Sequence, residues 1–264
     1  MQVASKIVSL SKRIKKKIQR LLNKKSNKNR KESKLNPDKN NPVGNFNQLF
    51  KEFHRKGLIC NYILDIGAHT TEWIRVAMKV YPEATVYLIE PLQEMEEKLK
   101  EFCYEFPKSK YYLNGAGAKE EILLLTLSGV LEGANFLESK NNHLISVNKQ
   151  REIKIITIDS LIKKNEIEIP EIVKLDIQGF ELEALKGASL LFGKTEVFIL
   201  EVSFFEFIKG TPIFSDVIRF MADRGYEAYD FPSFLRRPYD NALGQMDICF
   251  VKREGFIRSS NNWE

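Results

Sequence analysis

Three acidic residues in this 264-residue chain stand where a short apolar run gives way to a turn. Asp65 lies in Y-I-L-D-I-G-A-H-T-T (62–71), Glu90 closes A-T-V-Y-L-I-E (84–90) before Pro91, and Asp176 lies in E-I-V-K-L-D-I-Q-G-F-E (171–181). Near-continuous Val, Ile and Leu over so few residues is the pattern of a strand buried on both faces. In open α/β sheets, ligands bind outside the carboxyl ends of such strands, where the strand order reverses. A carboxylate there can accept hydrogen bonds from a ribose diol, orient a substrate hydroxyl or take its proton. Gly67 and Ala68 let the backbone come close to a ligand and open a helix N-terminus toward it. With Glu90 ending the next strand, the pattern is that of a site for a nucleoside-containing cofactor.

The elements that must carry these residues follow from the same alternation. Strands are predicted over 61–66, 84–90, 110–114, 121–127, 152–158, 171–177, 196–203, 226–231 and 246–252. Helical patterns fill 71–80, 91–105, 159–165 and 180–186, and a further helix follows Thr211-Pro212 and ends before Gly225. Pro91 suits a first helical turn because its missing N–H would have no partner there. Asp159 is expected to cap its helix, Thr211 the last one, and Gly187 to stop a helix in the left-handed conformation. Apolar strands alternating with amphipathic helices predict an α/β fold built on a doubly wound, mostly parallel sheet.

Charge divides the chain. Residues 1–40 carry 14 Lys and Arg against Glu32 and Asp38, so the overall +6 resolves into +12 there and −6 over 41–264. A uniformly basic protein that coats nucleic acid is thereby excluded, and no nucleic-acid partner is expected. Two domains are expected: a basic amphipathic tail and linker over 1–42, and the α/β domain over 43–264. Val3, Ile7, Leu10, Ile14, Ile18 and Leu21 form a one-sided stripe among many lysines. Each charge would cost about 2.5–3.5 kcal/mol at mid-bilayer, so this helix cannot span. It could lie on an anionic membrane surface through residues 1–22, or remain solvated. Residues 24–42, rich in Lys and Asn, read as a flexible linker. Cys60, Cys103 and Cys249 are too few and too scattered for a disulfide framework or zinc site, and only three histidines are available. A cytoplasmic protein is expected, with peripheral contact at the cytoplasmic membrane face as its variant.

A dinucleotide site would need G-x-G-x-x-G to admit a pyrophosphate, and the turn after the first strand has a single glycine in that stretch. An adenosyl cofactor without phosphates, S-adenosylmethionine, tolerates that better. At this level the sequence resembles the FkbM-type S-adenosylmethionine-dependent methyltransferases across roughly residues 45–252. The matching stretches are 62–71, V-Y-L-I-E-P (86–91), N-G-A-G-A-K-E-E (114–121), T-I-D-S-L (157–161), V-K-L-D-I-Q-G-F-E-L-E-A-L-K-G-A (173–188) and Q-M-D-I-C-F-V (245–251). The resemblance implies a class I methyltransferase fold, a seven-stranded sheet with a final antiparallel strand, and O-methylation of a hydroxyl on a sugar, glycan, glycolipid or related natural product.

On that basis Asp65, Gly67, Ala68, His69 and Thr71 form the cofactor turn, Glu90 holds the ribose diol, and Asn114 and Ala116 flank the adenine. Asp176 is expected beside the transferred methyl as general base, with Gln178 orienting either ligand. A divalent cation held by Asp176 and Glu201 ranks below the base role, and no metal ligands are predicted. Glu181 complements a helix N-terminus. His143 lies in a polar stretch read as a flap or a plain surface loop. Phe204, Phe205 and Phe207 read as core or a sugar-stacking face, and Arg236 and Arg237 as solvated or anion-binding. Two residues depart from the family pattern: His69 stands where Asn is common, and Thr71 where a second glycine is common. Thr71 either caps the following helix or, at positive φ, strains the turn. The rival functions are a nucleic-acid methyltransferase and a non-catalytic module of this fold docked to membranes.

Overall fold

The computed structural model describes residues 44–127, 131–137 and 140–263. The predicted tail and linker over 1–42 lie outside them. A helix not anticipated from the sequence, α1 (Phe46–Arg55), opens the described chain, with Asn45 accepting a hydrogen bond from the Gln48 amide at 2.9 Å. Its apolar residues Leu49, Phe50 and Phe53 are fully buried although its overall composition is polar.

Then follow β1 (Tyr62–Ile66), α2 (Glu72–Met78), β2 (Thr85–Ile89), α3 (Glu96–Glu105), β3 (Lys110–Tyr112), β4 (Gly115–Ala116) and β5 (Glu121–Thr126). Next come α4 (Asn142–Ser146), β6 (Gln150–Ile156), α5 (Ile158–Lys163), β7 (Ile172–Leu175), α6 (Glu181–Lys186) and β8 (Val197–Ser203). The chain closes with α7 (Phe214–Ala222), β9 (Tyr226–Arg236) and β10 (Leu243–Lys252).

Seven strands form the main sheet in the order β3-β2-β1-β7-β8-β10-β9. All neighbours are parallel except β10, which runs antiparallel to both β8 and β9. The predicted mostly parallel sheet with an antiparallel last strand is therefore present. The candidates near 121–127 and 152–158 do not join it. As β5 and β6 they pair antiparallel, and with β4 they make a separate three-stranded sheet.

Alternation along the strands builds a core on each face. Leu64, Ile66, Val173, Leu175, Leu200 and Phe250 pack with α5, α6 and α7 residues such as Leu161, Leu185 and Met221. Ile63, Val86, Leu88, Ile172, Ile199 and Cys249 pack with Phe50, Ile74 and Phe102 from α1, α2 and α3. Burial on both faces is why these strands carry no polar alternation in sequence.

Four local expectations change. The helix predicted to open at Pro91 begins at Glu96, after a 3-10 turn over Gln93–Met95. Thr157, not Asp159, caps α5 by accepting from the Ser160 amide; Asp159 instead accepts from the Ser189 and Leu190 amides at 3.0 and 2.8 Å. Gly187 has φ −89°, so it is no left-handed stop; a Cβ there would lie 2.0 Å from the Gly117 carbonyl oxygen, and close backbone packing requires the glycine. The helix predicted after Thr211-Pro212 starts at Phe214, where Asp216 accepts from the Ile213 amide at 3.1 Å.

Candidate active site

In the main sheet the chain starts at β1 and builds outward through β2 and β3 on one side and β7 and β8 on the other. The carboxyl ends of β1, β2, β7 and β8 thus surround the point where strand order reverses, and a cavity of about 240 Å³ lies there. Gly67 and His69 enter it from the β1–α2 turn, Glu90 from the end of β2, and Asn114 and Ala116 from around β4. Asp176 and Gln178 enter from β7 and Glu201 from β8, while Leu125, Leu131 and Phe136 supply an apolar wall. Asp65 at the end of β1 and Ala68 and Thr71 in the turn that follows are buried beside this lining.

Glu90 is buried at the junction of two turns. Its Oε2 accepts from the His69 amide at 2.9 Å and its Oε1 from the Leu92 amide at 2.8 Å. Burial raises the Glu90 carboxyl above its ordinary value, although those two amides pull in the opposite direction. Each carboxylate oxygen retains a further lone pair for a hydroxyl donor. The turn is packed against its neighbour: a Cβ on Gly67 would sit 1.9 Å from the Asp176 carbonyl oxygen, so only glycine lets β1 and β7 meet there.

Charged side chains occupy the face of the sheet toward α2. Lys174 is almost wholly buried, with Nζ 2.8 Å from Asp176 Oδ2, 3.6 Å from Asp247 Oδ1 and 5.8 Å from the Trp73 ring centre. Burial alone would lower this ammonium, but Asp176, Asp247 and Asp65 outweigh it and hold the charge in place. Burial alone would likewise raise Asp176, yet the adjoining Lys174 ammonium leaves it below the usual carboxylate range. Asp65 has less help from Lys174, and burial pushes it up to about 7.

The turn after β7 is locked by Glu181, whose Oε1 accepts from the Ile177 amide at 2.9 Å and the Gly179 amide at 3.2 Å. Burial pushes Glu181 up to about 7. Gln178 adopts φ 54° and Gly179 φ 94°, which aims the Gln178 amide between two acids. Its Nε2 lies 3.2 Å from Asp176 Oδ1 and 2.9 Å from Glu201 Oε2.

Residues 65–228 match the family described as the methyltransferase FkbM domain. The chain belongs to the FkbM methyltransferase domain family. Over 66 residues it is 32% identical to the hexuronic acid methyltransferase AglP of Haloferax volcanii, a match spanning 25% of this chain and 28% of that protein. A solved FkbM methyltransferase from Methylobacillus flagellatus is 18% identical with a TM-score of 0.45, covering 74% of this chain and 46% of that one. The Burkholderia thailandensis 1,6-didemethyltoxoflavin-N1-methyltransferase, solved with S-adenosylhomocysteine, is 7% identical with a TM-score of 0.43 and covers 78% and 76%. The chain thus spans less than a third of the curated relative and less than half of the solved FkbM protein.

The two departures from the FkbM pattern fall on the same turn. His69 has φ 40° and Thr71 φ 63°, both in the left-handed region. Thr71 occupies the N-cap of α2 without a side-chain capping bond, so of its two readings the structure shows the strained one. His69 Nε2 is buried and, among the described residues, has no hydrogen-bond partner. The cavity fits an adenosyl group through Glu90, whose oxygens keep lone pairs for hydroxyls, and through Leu125, Leu131 and Phe136, which offer an apolar face to a flat ring.

FkbM membership does not make Lys174 readable, and sequence reasoning missed it; the signal was a lone charge inside the apolar run V-K-L-D-I. Leu125, Leu131 and Phe136 carried no signal. Among the described residues, no group of three or more His, Cys, Asp or Glu side chains is placed to hold a metal. No described helix is long and apolar enough to cross a membrane. His143 is exposed on α4, away from the cavity lining. Phe204 stacks on Phe214 at 5.1 Å, whereas Phe205 and Phe207 stay partly exposed, with Arg237 3.8 Å above the Phe205 ring. Arg237 is paired with Asp240, and Arg236 donates to the Asn241 carbonyl.

Proposed function

We propose that the protein is an S-adenosylmethionine-dependent O-methyltransferase acting on a hydroxyl of a sugar, glycan or glycolipid. The observation that carries this reading is the convergence of Glu90, His69 and Asp176 on one cavity at the switch point of an FkbM-family sheet. Glu90 receives the ribose hydroxyls, Asn114 and Ala116 flank the adenine together with the apolar wall, and the Asp65 turn borders the amino-acid end. When bound, S-adenosylmethionine supplies a methyl group activated on a sulfonium.

Asp176 orients the acceptor hydroxyl and receives its proton. Its depressed proton affinity does not disqualify it, because a hydroxyl proton becomes far more acidic once its oxygen is bonding a third partner. Ionised Asp176 also contributes negative charge opposite a cationic donor. Positioning is the larger part of catalysis for an in-line displacement, and the rigid strand end behind Asp176 provides it. The match to a hexuronic acid methyltransferase supports a sugar acceptor. The +12 charge of residues 1–40 supports attachment at an anionic, cytoplasm-facing membrane surface, where lipid-linked sugars would be within reach.

The test is incubation of the purified protein with methyl-labelled S-adenosylmethionine and fractionated glycans, lipids and nucleic acids from its source. Label is expected in a glycan or glycolipid fraction. Label confined to nucleic acid would overturn the acceptor class. Failure to bind S-adenosylmethionine at millimolar concentration would overturn the activity and favour a non-catalytic module.

A further inference from the structure

Glu201 stands one strand over from Asp176. Leu175 pairs with Leu200 between β7 and β8, which puts the next residues, Asp176 and Glu201, side by side. Glu201 pairs in turn with Asp247 on β10, and Asp247 with Ser233 on β9. Register partners point to the same face, so four polar side chains follow one another across a single rung of the sheet.

The hydrogen bonds within this rung are uneven. The two protons of the Gln178 amide reach both acids, at 3.2 Å to Asp176 Oδ1 and 2.9 Å to Glu201 Oε2. The Gln245 amide adds a third contact, 3.0 Å to the same Glu201 oxygen. The Lys174 ammonium forms its salt bridges with Asp176 and Asp247, not with Glu201. Two ionised carboxylates joined through one amide and served by one off-centre cation would repel strongly at this depth. Close carboxyl pairs relieve such repulsion by retaining a proton between them.

We propose that Asp176 and Glu201 share one proton, Glu201 carrying it and Asp176 carrying the negative charge, so that Glu201 is a positioning residue that keeps Asp176 ionised and aimed into the cavity. The inference rests on the O-methylation reading for its purpose, though not for its existence. As the acceptor oxygen bonds the methyl carbon, the electron pair of the broken carbon–sulfur bond stays on sulfur. The hydroxyl proton passes to Asp176 and then to solvent, and Glu201 keeps its own.

The surrounding charges agree. Glu201 faces Asp176 and Lys174 from β7, Glu181 from α6 and Asp247 from β10, while Asp65 and Glu90 lie beyond Asp176. Burial first, then the Asp176 and Glu181 charges, push Glu201 far above the usual carboxylate range. Its O–H in turn helps hold Asp176 down.

The test is a carbon-13 NMR titration of side-chain carboxyls in the purified full-length chain, with no ligand added. A glutamate carboxyl signal that vanishes in Glu201→Gln is expected to remain protonated above pH 7, beyond the Glu181 midpoint of about 7. In Asp176→Asn, the midpoint of that signal is expected to fall by more than one pH unit, a tenfold loss of proton affinity. Should Glu201→Gln fail to fold, Glu201→Asp makes the assignment by moving the signal into the aspartate region. A Glu201 midpoint in the ordinary carboxylate range, or one unmoved in Asp176→Asn, overturns the proposal. Methyl transfer alongside an ordinary Glu201 would defeat the shared proton alone. A shared proton without cofactor binding or transfer would defeat the functional reading alone.

Discussion

The two turns that border the cavity solve one problem differently. Each leaves a buried strand through left-handed residues, His69 and Thr71 after β1 and Gln178 and Gly179 after β7. Each is held by a buried glutamate that accepts two backbone amides. In the β7 turn the glutamate is local: Glu181 opens α6 and closes on its own approach, as an ordinary helix N-terminus does. In the β1 turn the glutamate comes from β2, so Glu90 ties its own outgoing loop to a neighbouring one. Both turns place glycine at their widest positive φ, Gly67 at 84° and Gly179 at 94°, but the β1 turn also puts a β-branched threonine in that region without a capping bond. One turn is stabilised from within; the other depends on its neighbour and stores strain where the cofactor is proposed to bind.

The largest effect is expected from cutting the tie between loops. Glu90→Ala leaves the His69 and Leu92 amides without their acceptor, at about 1–3 kcal/mol each if no water replaces it. Together with the loss of the proposed ribose contact, S-adenosylmethionine binding should weaken by roughly ten- to a hundred-fold. Calorimetry and thermal melts check both, and unchanged affinity would separate Glu90 from the cofactor.

A smaller effect should mark the self-contained turn. Glu181 titrates from about 4.5 in the unfolded chain to about 7 in the folded one. Because the folded state holds this proton more tightly, its contribution is fully present below pH 4.5 and fades as pH rises toward 7. Glu181→Gln should therefore flatten the decline in melting temperature across that window, by about 1–3 kcal/mol at most. A decline identical to that of the unmodified protein would place the titration elsewhere.

The smallest effect is a gain. Thr71→Gly removes a left-handed β-branched residue, a strain of about 1–2 kcal/mol, but also deletes a buried side chain of a methyl and a hydroxyl on Cβ. The expected balance is a stabilisation of about 1 kcal/mol or less, seen as a rise of a few degrees in melting temperature. A fall would mean that the Thr71 side chain packs more favourably than its backbone is strained.

What the sequence disclosed follows from which forces are local. Y-I-L-D-I, T-V-Y-L-I and V-F-I-L-E-V-S betray themselves because strands covered on both faces need nearly unbroken apolar runs, and Asp65, Glu90 and Asp176, singled out near the ends of such runs, lie at or beside the cavity. α1 was not legible, because its buried Leu49, Phe50 and Phe53 are diluted by Lys, Glu and Arg. The separate small sheet was equally hidden, since β5 and β6 look like any short strand until their partners are known. Lys174 and the Asp176–Glu201 adjacency depend on register between distant strands. Gly187 was misjudged because glycine serves both left-handed turns and crowded backbones, and only the nearby Gly117 carbonyl tells which.

The strand order carries a consequence for synthesis. β9 joins the sheet only through β10, which follows it in the chain. Until residues 243–252 have left the ribosome, the open edge of β8 and the whole of β9 await their shared neighbour, and Glu201 lacks Gln245. The part of the sheet built on β1, β2 and β3 has all its strands by residue 112, whereas the β8 edge and β9 are joined only once residues 243–252 are present.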